Sequence, residues 1–260
     1  MIQQIVGTSG AIIVLHKTHV VKFAPRGAIQ QVGDRIEAQA RFMGMLGDKV
    51  CPKVFTTFPG GFTMERCEQP NHGIKLEYAM WRALGVLSAN VWTPVKTSPP
   101  WLDMHRLYIT PRINRYTPEH LEAMTRAMEQ VANETVAEDW SGLIHGDPTF
   151  DNLLVRKGHY IITDPLPPSA GMPPLRTVDI AKVMQSLLGY EEIKYRGKVS
   201  FIRSKRDPWE VGDSIIPLSA REWYAVRYFT AVHLVRLLPY QEHGTRQTFK
   251  DVLASVVAGL

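Results

Sequence analysis

The sequence contains 260 residues, of which 45% are hydrophobic, so it can bury a substantial core in one large domain or in two lobes that share a cleft. Cys51 and Cys67 are the only cysteines and form no Cys-x-x-Cys pair, so neither a zinc site nor a disulfide framework is predicted. The first residues lack the basic and apolar regions of a signal peptide, and no apolar run approaches membrane-spanning length. A cytoplasmic protein without a membrane partner is therefore expected.

The formal net charge of +5 is modest and does not by itself indicate a nucleic-acid partner. The densest basic stretch consists of Lys194, Arg196, Lys198, Arg203, Lys205 and Arg206. This stretch could contact a phosphorylated or nucleic-acid ligand, but a solvated loop is the favoured interpretation. Nothing in the sequence specifies an oligomeric state.

The first predicted elements are short β-strands at residues 2–6, 11–15 and 20–23, which together indicate a three-stranded meander. The loop between the first two strands consists of Gly7, Thr8, Ser9 and Gly10. Because glycine has no Cβ, such a loop can bring backbone N–H groups close to phosphate oxygens, but it is equally an ordinary hairpin turn. In the third strand, Lys22 alternates with apolar neighbours and so faces away from them.

Residues 35–46 are predicted to form a helix with Asp34 as its N-cap. Two β-prone runs, at residues 52–58 and 61–65, then indicate a hairpin that completes a five-stranded antiparallel sheet.

Helical periodicity returns at residues 74–90 and 118–138. The segment between them, residues 93–117, is rich in proline and aromatic residues and is interpreted either as a substrate-facing insert or as a packed surface loop. Three further helices are predicted at residues 177–188, 219–238 and 245–257.

The segment from residue 143 to residue 164 is the most informative part of the chain. Two β-prone runs, at residues 153–155 and 160–163, are joined by a turn that contains a glycine, and they predict a hairpin. This hairpin would bring Asn152 and Asp164 side by side.

Phosphoryl transfer requires oxygen ligands for magnesium and an acceptor for the proton of the attacking hydroxyl. Asp147 is the candidate base or orienting carboxylate, and His145 is a second candidate catalytic residue. Asn152 and Asp164 are the candidate metal ligands. Asp and Asn also favour turns, so any one of these residues could be structural, but the four together in this spacing favour a phosphotransfer site.

The spacing from His145 to Asn152 matches the His-x-Asp-x-x-x-x-Asn pattern of the protein-kinase catalytic loop, with glycine in the place of arginine. The run His145-Gly146-Asp147, followed by Asp164-Pro165, resembles the aminoglycoside phosphotransferase and choline kinase family instead. It is most similar to a bacterial subgroup with His-Gly-Asp-Pro-Thr-x-x-Asn, Asp-Pro and Asp-x-Ala-Lys motifs, the last present here as Asp179-Ile-Ala-Lys182.

The resemblance implies an α+β, protein-kinase-like fold with two lobes. Residues 1–67 would form a nucleotide-binding lobe that contains the five-stranded antiparallel sheet and one helix. Residues 68–260 would form a larger, mainly helical lobe with the catalytic and substrate-binding residues. In this larger lobe, Asp179 would hold the catalytic loop through backbone N–H groups, although an acidic residue also suits a helix N-terminus for electrostatic reasons alone.

The resemblance also implies ATP and magnesium as cofactors. Lys22 would contact the phosphates, with Glu37 as its partner, although Glu37 could instead pair with Arg41 one turn along the helix. The segment that contains Glu65 and Cys67 would present backbone groups to the adenine.

The function implied is transfer of the ATP γ-phosphate to a hydroxyl of a small molecule such as a sugar or an amino alcohol. The alternatives are a protein Ser/Thr kinase and a nucleotide-binding regulator without turnover. Gly146, the Asp-Pro pair and the lack of an Ala-Pro-Glu motif count against the first, and the presence of every catalytic residue counts against the second.

The acceptor wall is expected to come from the proline-rich segment 165–174 and from the helical tail. The aromatic residues that could hold a choline-like cation are Trp209, Trp223, Tyr224 and Tyr228. Residues 194–250 are net basic, which favours a neutral or anionic acceptor such as a sugar or a sugar phosphate over a polycationic drug.

Overall fold

The computed structural model describes residues 3–6, 10–70, 76–93, 101–136, 139–166, 172–195, 207–210 and 216–260. Its architecture is α+β, with a sheet formed by the first part of the chain and a larger, mainly helical second part. The expected fold class is confirmed.

The first part of the chain contains a five-stranded antiparallel sheet, as predicted. Its strands are β1 (Gln3–Val6), β2 (Ile12–Leu15), β3 (His19–Phe23), β4 (Val54–Phe58) and β5 (Gly61–Glu65). Their spatial order is β1-β2-β3-β5-β4, so the meander and the hairpin meet where β3 pairs with β5.

Helix α1 (Asp34–Leu46) packs against β4 and β5. Ile36, Ala40 and Met43 recur at helical spacing and are buried. The predicted N-cap is wrong, because Asp34 lies inside the helix after a π-helical turn (Ile29–Gly33). The backbone is already helical at Gly33, so Asp34 lacks the extended conformation that an N-cap residue adopts.

Within its described residues, the second part of the chain contains helices and one hairpin. Its helices are α2 (Leu76–Asn90), α3 (Leu102–Tyr116), α4 (Leu121–Glu134), α5 (Arg176–Leu187), α6 (Tyr190–Lys194), α7 (Ala220–Leu237) and α8 (His243–Val257). The hairpin consists of β6 (Leu153–Arg156) and β7 (His159–Ile162), as the sequence predicted. Helix α5 is buried from Thr177 to Leu187 and packs against α7, so these two helices form the centre of the core.

Of the two alternatives for residues 93–117, the packed surface loop is wrong, because α3 occupies most of that segment. His105, Ile109 and Ile113 lie four residues apart, so they form one buried face of the helix. His105 is hydrogen-bonded to the Tyr228 hydroxyl at 2.7 Å. Pro111 inside the helix and the many polar residues around it obscured this periodicity in the sequence.

Backbone hydrogen bonds connect the hairpin to the first part of the chain. Val155 and Glu68 each donate an N–H to the other's carbonyl, at 2.8 and 2.9 Å. The N–H of Ile162 donates to the carbonyl of Val50 at 2.8 Å. In the described ranges, no helix combines the length and the apolar character that a membrane crossing requires.

Gly61 is expected to tolerate no side chain, because a Cβ there would lie 2.8 Å from the carbonyl oxygen of Lys22 on the paired strand. We expect Gly61→Ala to lower the free energy of unfolding by about 1–3 kcal/mol, as overpacking typically does. Gly85→Ala in α2, where a Cβ meets no atom within 4 Å, is the control and should stabilise the helix by up to about 1 kcal/mol. Urea unfolding of both variants measures the difference, and equal stabilities would contradict the prediction.

Candidate active site

Residues 143–164, which carry the candidate catalytic residues, are called the catalytic segment, and Asp179 on the first turn of α5 holds its beginning by accepting two backbone hydrogen bonds. The N–H of His145 donates to one carboxylate oxygen at 2.8 Å, and the N–H of Gly146 donates to the other at 2.6 Å. Trp92 Nε1 adds a third bond at 3.0 Å. Gly146 has a φ of +81°, and a Cβ there would lie 2.6 Å from the Leu166 carbonyl oxygen. The prediction that Asp179 holds this segment is confirmed.

His145 is fully buried and faces the interior. Its Nδ1 accepts a hydrogen bond from the N–H of Asp147 at 3.3 Å. Burial lowers the pKa of His145 to about 4, so the imidazole is neutral at physiological pH. His145 is not among the residues that line the cleft around Asp147, so its catalytic role stays a prediction.

The side chain of Asp147 is three-quarters buried and has two partners. Lys182 Nζ lies 3.0 Å from Oδ1, and Asn152 Nδ2 donates to Oδ2 at 3.0 Å. Burial alone would raise the pKa of Asp147, but the Lys182 ammonium and these hydrogen bonds hold it below its ordinary value. Asp147 is therefore ionised at neutral pH.

Lys182 is a site residue that the sequence interpretation missed. It follows Asp179 by three residues on α5, so both side chains project from the same side of the helix toward the catalytic segment. The Asp-x-Ala-Lys motif, in which Lys182 is the last residue, was the sequence feature that could have identified it.

A second buried carboxylate supports the later half of the segment and was also missed. Glu191 Oε1 accepts hydrogen bonds from the Phe150 N–H at 3.1 Å and from the Ser186 hydroxyl at 2.8 Å. Burial raises the pKa of Glu191 to about 7. The contacts fix the short 3₁₀ turn (Phe150–Asn152) that leads into β6.

The hairpin brings the two candidate metal ligands together, as predicted. Asn152 ends the 3₁₀ turn, and its backbone carbonyl accepts a hydrogen bond from Thr163 at 2.8 Å, next to Asp164. The amide nitrogen of Asn152 donates hydrogen bonds to Asp147, so the amide oxygen points away from Asp147. Asp164 has a φ of +55°, and both of its carboxylate oxygens accept hydrogen bonds from Lys22 at 2.9 Å.

Lys22 faces the cleft from β3, but its predicted partner is wrong. Its ammonium donates to Gln39 Oε1 at 2.8 Å and pairs with Asp164. Glu37 instead accepts a hydrogen bond from the Gly60 N–H at 2.7 Å, in the turn between β4 and β5. Gln39 lies on the buried face of α1 with Ile36, whereas Glu37 lies outside it, so helical periodicity favours Gln39.

The remaining candidate nucleotide contacts lie near the sheet. Gly7, Thr8 and Ser9 fall outside the described residues, while Gly10 is exposed with a φ of +80°. Glu65 is paired with Arg156 at 3.3 Å, and Cys67 is half-buried at the junction with the helical part. Neither is among the residues that line the cleft around Asp147, so the contact with adenine stays a prediction.

The cleft has a volume of about 210 Å³. Residues from the sheet, from α1, from the catalytic segment and from α6 line it: Ile13, Lys22, Arg35, Ile36, Gln39, Asp147, Thr149, Asp151, Asn152, Asp164, Leu166, Tyr190 and Lys194. The aromatic residues proposed for a choline-like acceptor do not line it. Trp209, Trp223 and Tyr224 line a different hollow, and Tyr228 is buried beside His105.

Neither a protein-family model nor a curated protein matches the sequence. Solved structures match the fold over the whole chain. A choline kinase from Streptococcus pneumoniae shares 11% identity at a TM-score of 0.64, over 100% of this chain and 94% of that one. A choline/ethanolamine kinase family protein from Mesorhizobium loti shares 13% identity at a TM-score of 0.60, over 99% of this chain and 92% of that one.

An ADP-bound aminoglycoside phosphotransferase, APH(2'')-Ib, shares 12% identity at a TM-score of 0.56, over 99% of this chain and 92% of that one. The chain therefore has the protein-kinase-like fold on which these small-molecule kinases are built.

His145 is expected to make stability depend on pH. Because its pKa in the folded state lies below the ordinary 6.5, its neutral form stabilises the fold fully above pH 6.5, and this stabilisation is lost as the pH falls toward 4. The lowering to about 4 corresponds to roughly 3 kcal/mol. Urea unfolding between pH 7 and pH 4 should show a shallower loss for His145→Asn, which keeps an acceptor for the Asp147 N–H. Parallel pH profiles would contradict this prediction.

Proposed function

We propose that this chain is a magnesium-dependent phosphotransferase that moves the γ-phosphate of ATP to a hydroxyl group of a small molecule. The observation that supports it most is the convergence, in one cleft of a protein-kinase-like fold, of Lys22 from the sheet with Asp147, Asn152 and Asp164 from the catalytic segment. A nucleotide-binding lobe ending near residue 67 and a cytoplasmic location belong to the same proposal.

The donor set fits magnesium. Asp164 offers carboxylate oxygens. Asn152 offers its amide oxygen, because its amide nitrogen is hydrogen-bonded to the Asp147 carboxylate. In the described ranges, no three His, Cys, Asp or Glu side chains come together to hold a metal. Magnesium suits such a site because it is commonly bound by one or two protein oxygens together with substrate phosphates and water. When bound, it would neutralise charge on the phosphates.

Asp147 would act on the acceptor hydroxyl. Its lowered pKa makes it a weak base, so we infer that it orients the hydroxyl and takes the proton only as the new bond to phosphorus forms. Lys182 would keep it ionised and in place. Lys22 would contact the phosphates of ATP from the sheet side, positioned by Gln39.

The two alternative functions have less support. A protein kinase carries arginine where this chain has Gly146, and a Cβ at that position would collide with the Leu166 backbone. A regulator without turnover would be expected to lack a catalytic group, whereas the candidate base and both candidate metal ligands line one cleft in this chain.

We expect Asp147→Asn to lower phosphate transfer by about 10²- to 10⁴-fold while leaving Mg-ATP binding nearly intact, because this carboxylate acts on the acceptor. A screen of hydroxylated metabolites with labelled ATP identifies the acceptor, and single-turnover rates then compare the variants. Asp103→Asn, whose side chain is fully exposed on α3, is the control. Near-normal transfer by Asp147→Asn would remove Asp147 from the mechanism.

We expect Asp164→Ala to weaken magnesium-dependent nucleotide binding more than Asn152→Ala, because Asp164 supplies the negative charge that the ion requires. Calorimetric titration with a non-hydrolysable ATP analogue, with and without magnesium, measures both effects. An unchanged magnesium dependence in Asp164→Ala would show that the metal ligands are assigned wrongly.

A further inference from the structure

Besides Asp147, the cleft is lined by a further carboxylate of the catalytic segment and by two residues of α6. Asp151 follows Asp147 by four residues in the catalytic segment, and Tyr190 and Lys194 project from the first and last positions of α6. All of these side chains line the same cleft. A hydroxyl that is held at Asp147 would therefore bring the rest of its molecule toward this group of residues.

The side chain of Lys194 fills a site with the composition of a cation-binding site. Its ammonium lies 3.0 Å from Asp151 Oδ2, 5.2 Å from the centre of the Tyr190 ring and 4.8 Å from the centre of the Tyr195 ring. The Tyr195 hydroxyl donates to the same Asp151 oxygen at 2.7 Å. A carboxylate and two aromatic rings are the groups that recognise a ligand ammonium.

We propose that Lys194 determines the acceptor specificity of this site, an inference that rests on the proposed phosphotransfer function. Because its ammonium occupies the cation site made by Asp151, Tyr190 and Tyr195, a positively charged amino alcohol is excluded. The acceptor is a hydroxylated molecule without positive charge, of the sugar or sugar phosphate class, which contacts Lys194 through oxygen atoms.

The ion pairs in the cleft support the exclusion of a positively charged acceptor. Among the described residues that line the cleft, the three carboxylates each already have a lysine within 3.0 Å, since Lys22 pairs with Asp164, Lys182 with Asp147 and Lys194 with Asp151. At this described lining, a cationic acceptor would find no uncompensated carboxylate and would lie close to the Lys194 ammonium. The Lys194–Asp151 pair is mostly buried, so this repulsion is only partly screened by water.

The test removes the Lys194 ammonium and measures whether an ammonium ion from solution binds in its place. Tetramethylammonium binding to the full chain, measured by calorimetry without nucleotide, should be about tenfold or more tighter for Lys194→Ala than for wild type. The Lys194→Ala/Asp151→Asn double variant should lose this gain, and Lys194→Arg should bind as weakly as wild type. Lys49→Ala, an exposed lysine in the turn after α1, is the control for net charge.

Turnover gives a second readout. Lys194→Ala should gain phosphorylation of choline and lose efficiency with the uncharged or anionic acceptor that wild type uses. Equal tetramethylammonium binding by wild type and Lys194→Ala, or efficient use of choline by wild type, would overturn the proposal. The screen of hydroxylated metabolites with labelled ATP tests the phosphotransfer function of wild type separately, because cation binding needs neither nucleotide nor turnover.

Discussion

The buried carboxylate of Asp179 is the interaction on which the geometry of the catalytic segment depends. Burial raises the pKa of this group to about 6, and the bonds from Trp92 and from the N–H groups of His145 and Gly146 act in the opposite direction. A buried carboxylate without such partners would be strongly destabilising. The carboxylate therefore holds the segment in place, and the segment in turn stabilises the ionised carboxylate.

The packing of helix α5 in the core fixes the side chains that hold Asp147 in the cleft. The helix is buried along almost its whole length against α7, so its side chains have little freedom to move. One turn separates Asp179, which holds the backbone before Asp147, from Lys182, which holds the side chain of Asp147. Glu191, on the following helix, fixes the turn that ends at Asn152. The positions of Asp147, the candidate base, and of Asn152, a candidate metal ligand, thus follow from the packing of α5 and α6.

Local sequence signals predicted the parts of this structure that depend on short-range order. The β6–β7 hairpin was predictable because β-prone runs flank a glycine turn, and the same reasoning placed Asn152 beside Asp164. The partner of Lys22 was not predicted correctly, since a resemblance pointed to Glu37, whereas the rotation of α1 directs Gln39 inward. The contacts of Lys194 join α6 to the catalytic segment over more than forty residues, and no local pattern encodes such a contact.

The ion pairs in the cleft suggest how one site could accept a polyanionic nucleotide without a large change in charge. Lys22 and Asp164 neutralise each other in the structure described here. In the proposed function, the Asp164 carboxylate would hold magnesium and the Lys22 ammonium would contact the phosphates, so each of these charged groups would exchange one partner for another. A partly buried charge that loses its partner destabilises the protein. This exchange leaves neither Lys22 nor Asp164 unpaired. The Lys182–Asp147 and Lys194–Asp151 pairs would persist, which would hold the side chains of Asp147 and Lys194 in place while the partners of Lys22 and Asp164 change.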